Sequence, residues 1–196
     1  MYELQTEVLI NDDRYTITNR GDFRMVLDCL AALRDDELSE DYRVLASLLI
    51  FYNELDTFED IQRNFYNIEN LIFEMYKFLN CGTEESTNSH TASPVIDWEK
   101  DSQMICSAVN KVAGFEIRSA QYVHWWTFLG YYMAIGQSTL STVVGIRDKI
   151  VKHKNLDKWE KEFKRDNPDY FIWKSQSVEE REAERLIREI WNSGDK

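Results

Sequence analysis

The chain has 196 residues, 43% of them hydrophobic and 30% charged, a balance that suits a soluble globular domain and excludes wholesale disorder. Its formal net charge of −12 opposes binding of a phosphate backbone by the chain as a whole. Only seven glycines and two prolines are present, so tight turns are few and a mostly α fold built from long helices is predicted.

The length fits one domain, or a compact domain with an appendage. Charge is distributed unevenly: residues 1–80 hold 17 acidic and 7 basic side chains, whereas 147–165 hold 8 basic and 4 acidic. Such an asymmetry is either a pair of solvated helix faces or a guide to self-association and partner docking. Cys29, Cys81 and Cys106 are too widely and irregularly spaced for a disulfide framework, and buried free thiols in a reducing cytoplasm are expected. The opening MYELQTEVLIND lacks the basic start and apolar run of a signal peptide.

Residues 6–18, TEVLINDDRYTIT, carry two short runs around Asn11-Asp12-Asp13, with Tyr15 and Ile17 alternating against Thr16 and Thr18. This predicts a β-hairpin, which must lean on helices or pair with another chain's edge because two strands alone are marginal in water. Asp22 is placed to cap a helix with Phe23, Val26, Leu27, Leu30 and Leu33 on one face. Ser39 opens a second, carrying Tyr42, Leu45, Leu48, Leu49 and Tyr52. Thr57, with Asp60 three residues on, opens a third, whose stripe Phe58, Ile61, Phe65, Ile68, Ile72, Met75 and Leu79 runs to Gly82. Amphipathic helices joined by short polar turns pack as a bundle.

Residues 82–94 are small and polar and read as a linker between two helical halves, with His90 solvated inside it. A helix bearing Trp98, Met104, Ile105, Ala108, Val109 and Val112 follows and closes at Gly114. The stretch Ser119–Gly136, SAQYVHWWTFLGYYMAIG, is hydrophobic nearly all round. Its polar groups, His124 and Gln121 among them, need partners that lipid does not supply, so it is predicted to be the buried central helix of the bundle rather than a membrane span. The next helix carries Leu140, Val143, Val144, Ile146 and Ile150, with Arg147 and Lys149 toward the end where cations suit the helix dipole. Residues 1–155 are thus read as one helical domain and 156–196 as a charged helical appendage. Within the appendage, a short helix over 155–165 carries Trp159 and Phe163 and stops at Pro168, and a last helix opens at Ser177 and Glu180.

No glycine-rich phosphate loop, nucleophile elbow or zinc-ligand spacing occurs, so no catalytic, cofactor or metal site is expected. His124 as a base would need a nucleophile and a carboxylate, for which Asp97 or Asp101 are candidates; as a structural group it needs only hydrogen-bond partners. Asp22 and Arg24 are either a functional ion pair or an N-cap beside a surface arginine. Trp125 and Trp126 are either an exposed hot spot or core, and core is the expectation.

Taken in order, Ile17-Thr18 followed by Asp22-Phe23-Arg24, then Asp97 and Asp101 before Ile105, His124-Trp125-Trp126-x-Phe128, and Ile146-Arg147 resemble the bacteriophage Gp15 family over roughly residues 8–155. The resemblance implies a protein of tailed phages, or prophages, of Gram-positive bacteria, with a role in virion morphogenesis. It implies a tail assembly chaperone that binds the tape measure protein or other tail proteins in the cytoplasm of the bacterial host. It carries no implication of an enzyme, a cofactor, nucleic-acid binding or membrane insertion, and the hairpin edge offers a route to a homo-oligomer. The residues it singles out, as structural or interaction positions, are Asp22, Phe23, Arg24, Asp101, His124, Trp125, Trp126, Phe128 and Arg147. A tail completion or connector component of the virion, and an acidic DNA mimic, are the competing expectations.

Overall fold

The computed structural model describes residues 3–82 and 95–172. The fold is mostly α, with a small two-stranded antiparallel hairpin near the N-terminus. The polar linker beyond Gly82 and the helix expected from Ser177 lie outside the described residues. Contacts divide the chain into two units, residues 1–89 with 109–135, and residues 90–108 with 136–196. No helix among the described residues is long and apolar enough to cross a membrane.

In the first unit, β1 (Glu7–Ile10) pairs with β2 (Asp13–Thr16) across Asn11 and Asp12, which take φ of 50° and 70°. Asparagine and aspartate tolerate this left-handed conformation better than most residues, which is why a two-residue turn closes here. Val8, Ile10, Tyr15 and Ile17 face inward and Leu9, 69% exposed, faces out, as period-two alternation requires. Residues Thr18–Gly21 then form a tight turn in which Asn19, Arg20 and Gly21 all have positive φ.

The chain leaves that turn into α1 (Phe23–Leu33), which Asp22 caps, and α2 (Glu40–Phe51) packs along it. Small residues let the two approach: the Ser47 hydroxyl donates to the Cys29 carbonyl at 3.2 Å. Burial pushes the Cys29 thiol up to about 12, so it stays protonated and inert. Of the other thiols Cys106 is half-buried and Cys81 exposed, so only one of the three matches the expected burial.

The long stripe predicted from Thr57 onward is two helices. Thr57 and Asp60 form the capping box of α3 (Phe58–Arg63), but the helix breaks at Asn64 and a 3-10 turn, Phe65–Asn67, leads into α4 (Ile68–Leu79). The reason lies in two side-chain amides that find partners outside a helix. Asn64 accepts from the Tyr15 hydroxyl at 2.7 Å, and the fully buried Asn67 donates to Tyr15 at 2.9 Å and accepts from Asn11 at 2.8 Å. The break turns Phe65 out to 72% exposure, while Ile61, Met75 and Leu79 of the predicted row stay in the core and Leu71 and Phe78 join them.

The aromatic helix α6 runs Trp125–Met133, six residues shorter at its start than the stretch from Ser119. Residues 117–119 form a 3-10 turn, and Val123 is held extended because its N–H donates to Asp22 Oδ2 and its carbonyl accepts from Phe23 N, both at 2.9 Å. Only Trp125 and Phe128 of α6 are buried, and Met133 is 81% exposed, so its apolar surface is not enclosed all round.

In the second unit the described core is Ile105 and Ala108, from the first part of α5 (Ser102–Ala113), with Leu140, Val143 and Ile146 of α7 (Thr139–Val151). Ser138 and Ser141 cap α7, and Asp157 and Glu160 cap α8 (Lys158–Asp166) before the turn Pro168–Phe171.

Candidate functional site

Seven of the nine singled-out residues meet in the first unit. Asp22 is buried and spends both oxygens: Oδ1 accepts from Arg24 N at 3.0 Å, capping α1, and Oδ2 accepts from Val123 N. Arg24 Nη1 donates to both oxygens of the same carboxylate, at 3.0 and 3.1 Å. It is no ordinary surface arginine, because its Nη2 reaches across to the carbonyls of Ala120 at 2.7 Å and Arg118 at 3.2 Å. The guanidinium also lies over the Phe23 ring at 4.5 Å, and Phe23 in turn stacks flat on Phe128 at 4.5 Å. Glu116 shapes the turn that Arg24 clasps: its hydrogen bonds to the Arg118 side chain and backbone hold its carboxyl at about 2.

His124 is buried, opposite Asp22 in an isolated antiparallel bridge, and it caps α6. Nδ1 accepts from Trp126 N at 3.1 Å, which leaves Nε2 to carry the proton and donate to the Gln5 carbonyl at 2.9 Å. Burial drives its pKa below the usual histidine range, and the neutral ring is what both bonds require. Both nitrogens are therefore occupied by backbone, and Asp101, a candidate carboxylate for it, is bound instead by Arg147. The structural reading of His124 is the one its partners support.

Trp125 and Trp126 carry out a task that sequence could not reveal. Their indole N–H groups donate to the last carbonyls of α4, Trp125 to Leu79 at 3.0 Å and Trp126 to Phe78 at 2.8 Å. The α4 end is wound into a left-handed exit at Cys81 (φ 56°) and Gly82 (φ 79°), with Cys81 N returning to Phe78 O and Gly82 N to Lys77 O. Trp125 is core, while Trp126 is half-buried with its ring against Phe78 at 5.5 Å.

The remaining two, Asp101 and Arg147, form the centre of the second unit. Both are buried to within 2% of full enclosure and face each other as a bidentate pair, with Nη2 to Oδ1 at 2.9 Å. Arg147 also donates from Nη1 to the Val95 carbonyl at 3.0 Å and from Nε and Nη2 to the Tyr170 carbonyl. Every N–H of the guanidinium is used. Beyond the expected place near the helix C-terminal end, Arg147 is a buried clamp joining residues 95–101, α7 and the turn at 168–171.

These clusters hold backbone to backbone. Among the described residues no three His, Cys, Asp or Glu side chains gather to hold a metal ion. Sequence reading missed Asn67, the Arg147 clamp and the indole caps; the signal for Asn67 was two asparagines interrupting an apolar stripe. In comparisons with known proteins, the Bacteriophage Gp15 protein family matches residues 2–170. No curated protein and no solved structure matches the chain.

Proposed function

The chain belongs to the Bacteriophage Gp15 protein family, which points to a structural or tail-related role in phages, and we propose that it is a tail assembly chaperone for the tape measure protein. The observation that carries this reading is the set of exposed aromatic rings within residues 58–73: Phe58, Phe65, Tyr66 and Phe73. Leu71, Met75 and Phe78 close the core beneath them, and although Phe58 meets Tyr42, Tyr66 donates to Asp13 and Lys77 lies over Phe73, the outer faces of these rings stay exposed. A long helical client with an apolar stripe is the kind of partner they suit. The acidic surface keeps the free protein soluble in the host cytoplasm, and a contact made by a few rings is weak enough to be displaced when tube subunits arrive.

The test is co-expression with the tape measure protein of the same phage. The two should co-elute, the double variant Phe65→Ala/Phe73→Ala should lose the client while keeping its circular dichroism, and mass spectrometry of purified virions should find the protein absent. A fixed copy number in virions without tape measure binding would make it a tail completion component and overturn the chaperone reading.

A further inference from the structure

The hairpin is seated on the first unit by partners remote in sequence. Val8, Ile10, Tyr15 and Ile17 are its buried side chains, and its hydrogen bonds run from Tyr15 to Asn64, Asn11 to Asn67, Asn53 N to the Thr16 carbonyl and His124 to the Gln5 carbonyl. Just beyond it the chain is pinned again, since Asp22 and Phe23 both bind the backbone of Val123. One short link, residues 18–21, joins the two. A hairpin from a second copy would remake every one of these contacts, because the seat is the same in each copy. The link itself is closed under strain. Asn19, Arg20 and Gly21 are left-handed in succession, with φ of 48°, 56° and 76°. Asparagine and glycine tolerate that region, but at Arg20 it costs enough to shift an equilibrium about tenfold. Arg20 is exposed, so burial does not hold it there. Tyr122 does: its hydroxyl donates to the Arg20 carbonyl at 3.0 Å, and the Arg20 guanidinium lies over its ring at 5.9 Å.

We propose that the hairpin is an exchangeable element: the link opens and the hairpins of two copies change places, so that each completes the core of the other. A short hinge under strain favours this exchange, because the extended link sheds the left-handed penalty once in each copy while the hairpin contacts are kept. The product is a closed two-fold dimer with no seat left for a third copy. Tyr122 is the catch that opposes it, holding the link shut in the monomer. The hairpins change places during folding at high protein concentration, and the dimer then reverts slowly, since each hairpin must leave a buried seat before it can return. Exchange needs no client and does not rest on the tail role.

The full chain, refolded from urea at high protein concentration, should give separate monomer and dimer peaks on gel filtration, the dimer reverting slowly after dilution. Asp13 and Tyr66, whose side chains meet at 2.9 Å, report which seat a hairpin occupies, and both are exposed. Asp13→Cys/Tyr66→Cys, in a chain also carrying Cys81→Ser/Cys106→Ser, should be bridged by a short bismaleimide within one chain in the monomer peak. In the dimer peak the same reagent should join two chains, read as a doubled mass on a denaturing gel. Arg20→Gly adopts the left-handed turn freely and should weaken the dimer about tenfold for each link. Tyr122→Phe removes the catch and should strengthen it about fivefold for each link. Both changes lie at the surface and should leave the circular dichroism of the monomer unchanged. A wild type that gives no dimer peak, or a dimer whose bridge stays within one chain, would overturn the proposal, the latter because the copies would then meet through some other surface. So would a dimer that Arg20→Gly and Tyr122→Phe leave unaltered.

Discussion

A side-chain carbon at Gly21 would lie 2.6 Å from Phe78 Cζ and 3.2 Å from His124 Nε2. The left-handed turn after the hairpin and the end of α4 thus meet across a position where only hydrogen fits. Gly82 provides a control, because it has a similar φ of +79° but its added carbon would meet Trp126 at an ordinary 3.6 Å. Gly82→Ala should lose about 1–2 kcal/mol, the left-handed backbone penalty. Gly21→Ala should lose that and about 1–3 kcal/mol more as Phe78 is displaced. Urea midpoints compare the two, and equal losses would mean that the Phe78 ring moves aside freely.

Removing one partner of a buried ion pair strands the other charge. Asp101→Asn should therefore cost about 3–5 kcal/mol, seen as a lower unfolding midpoint and faster hydrogen exchange in residues 102–108 and 139–151. Arg147→Lys should fail to rescue, since three donors on a flexible stem cannot serve Asp101, Val95 and Tyr170 together. A lysine variant within about 1 kcal/mol of wild type would contradict the clamp.

Acid should weaken the first unit through His124. Its native pKa is lowered by burial, so between that value and the unfolded one, about 6.5, the unfolded chain binds more protons. The stability held by the neutral ring is complete above about pH 6.5 and is lost as pH falls below it. His124→Asn keeps an acceptor for Trp126 N without a titrating group, and should flatten the stability profile between about pH 7 and 5. Glu116 and Asp60, whose carboxyls are held below their usual range, lose their contributions only at lower pH, under about 4.5. An unchanged slope in the variant would assign the acid sensitivity elsewhere.

Trp126→Phe keeps a ring against Phe78 but removes the indole donor. The Phe78 carbonyl still accepts from Cys81 N, so the loss should be near about 1 kcal/mol. Trp125→Phe acts in a fully buried site on the Leu79 carbonyl and should cost more, about 1–3 kcal/mol. Thermal unfolding of the pair orders them, and the reverse order would refute the capping role.

What was legible in the sequence is what short-range rules decide. The hairpin, Asp22 as an N-cap, the Thr57–Asp60 box and the stop at Gly114 depend on residues a few positions apart, and all stand in the structure. The long-range contacts of the singled-out residues were not legible. Arg24 reaches carbonyls about ninety positions away, the indoles reach back to α4, and Arg147 spans from Val95 to Tyr170. Periodicity ranks a position as inward or outward and has no term for a donor seeking a distant carbonyl. The same blindness joined α3 to α4, because the amides of Asn64 and Asn67 were bound to a hairpin fifty residues earlier.

The position of Tyr170 also sets a timetable. Its carbonyl takes two of the Arg147 donors, yet it follows Val95, Asp101 and Arg147 along the chain, so the arginine leaves the ribosome ahead of one of its acceptors. The segments of the first unit, through Ile135, are complete by then. A nascent chain arrested before residue 170 should therefore carry a finished first unit and an open, protease-sensitive second one, and release of the last stretch should be the event that shuts it.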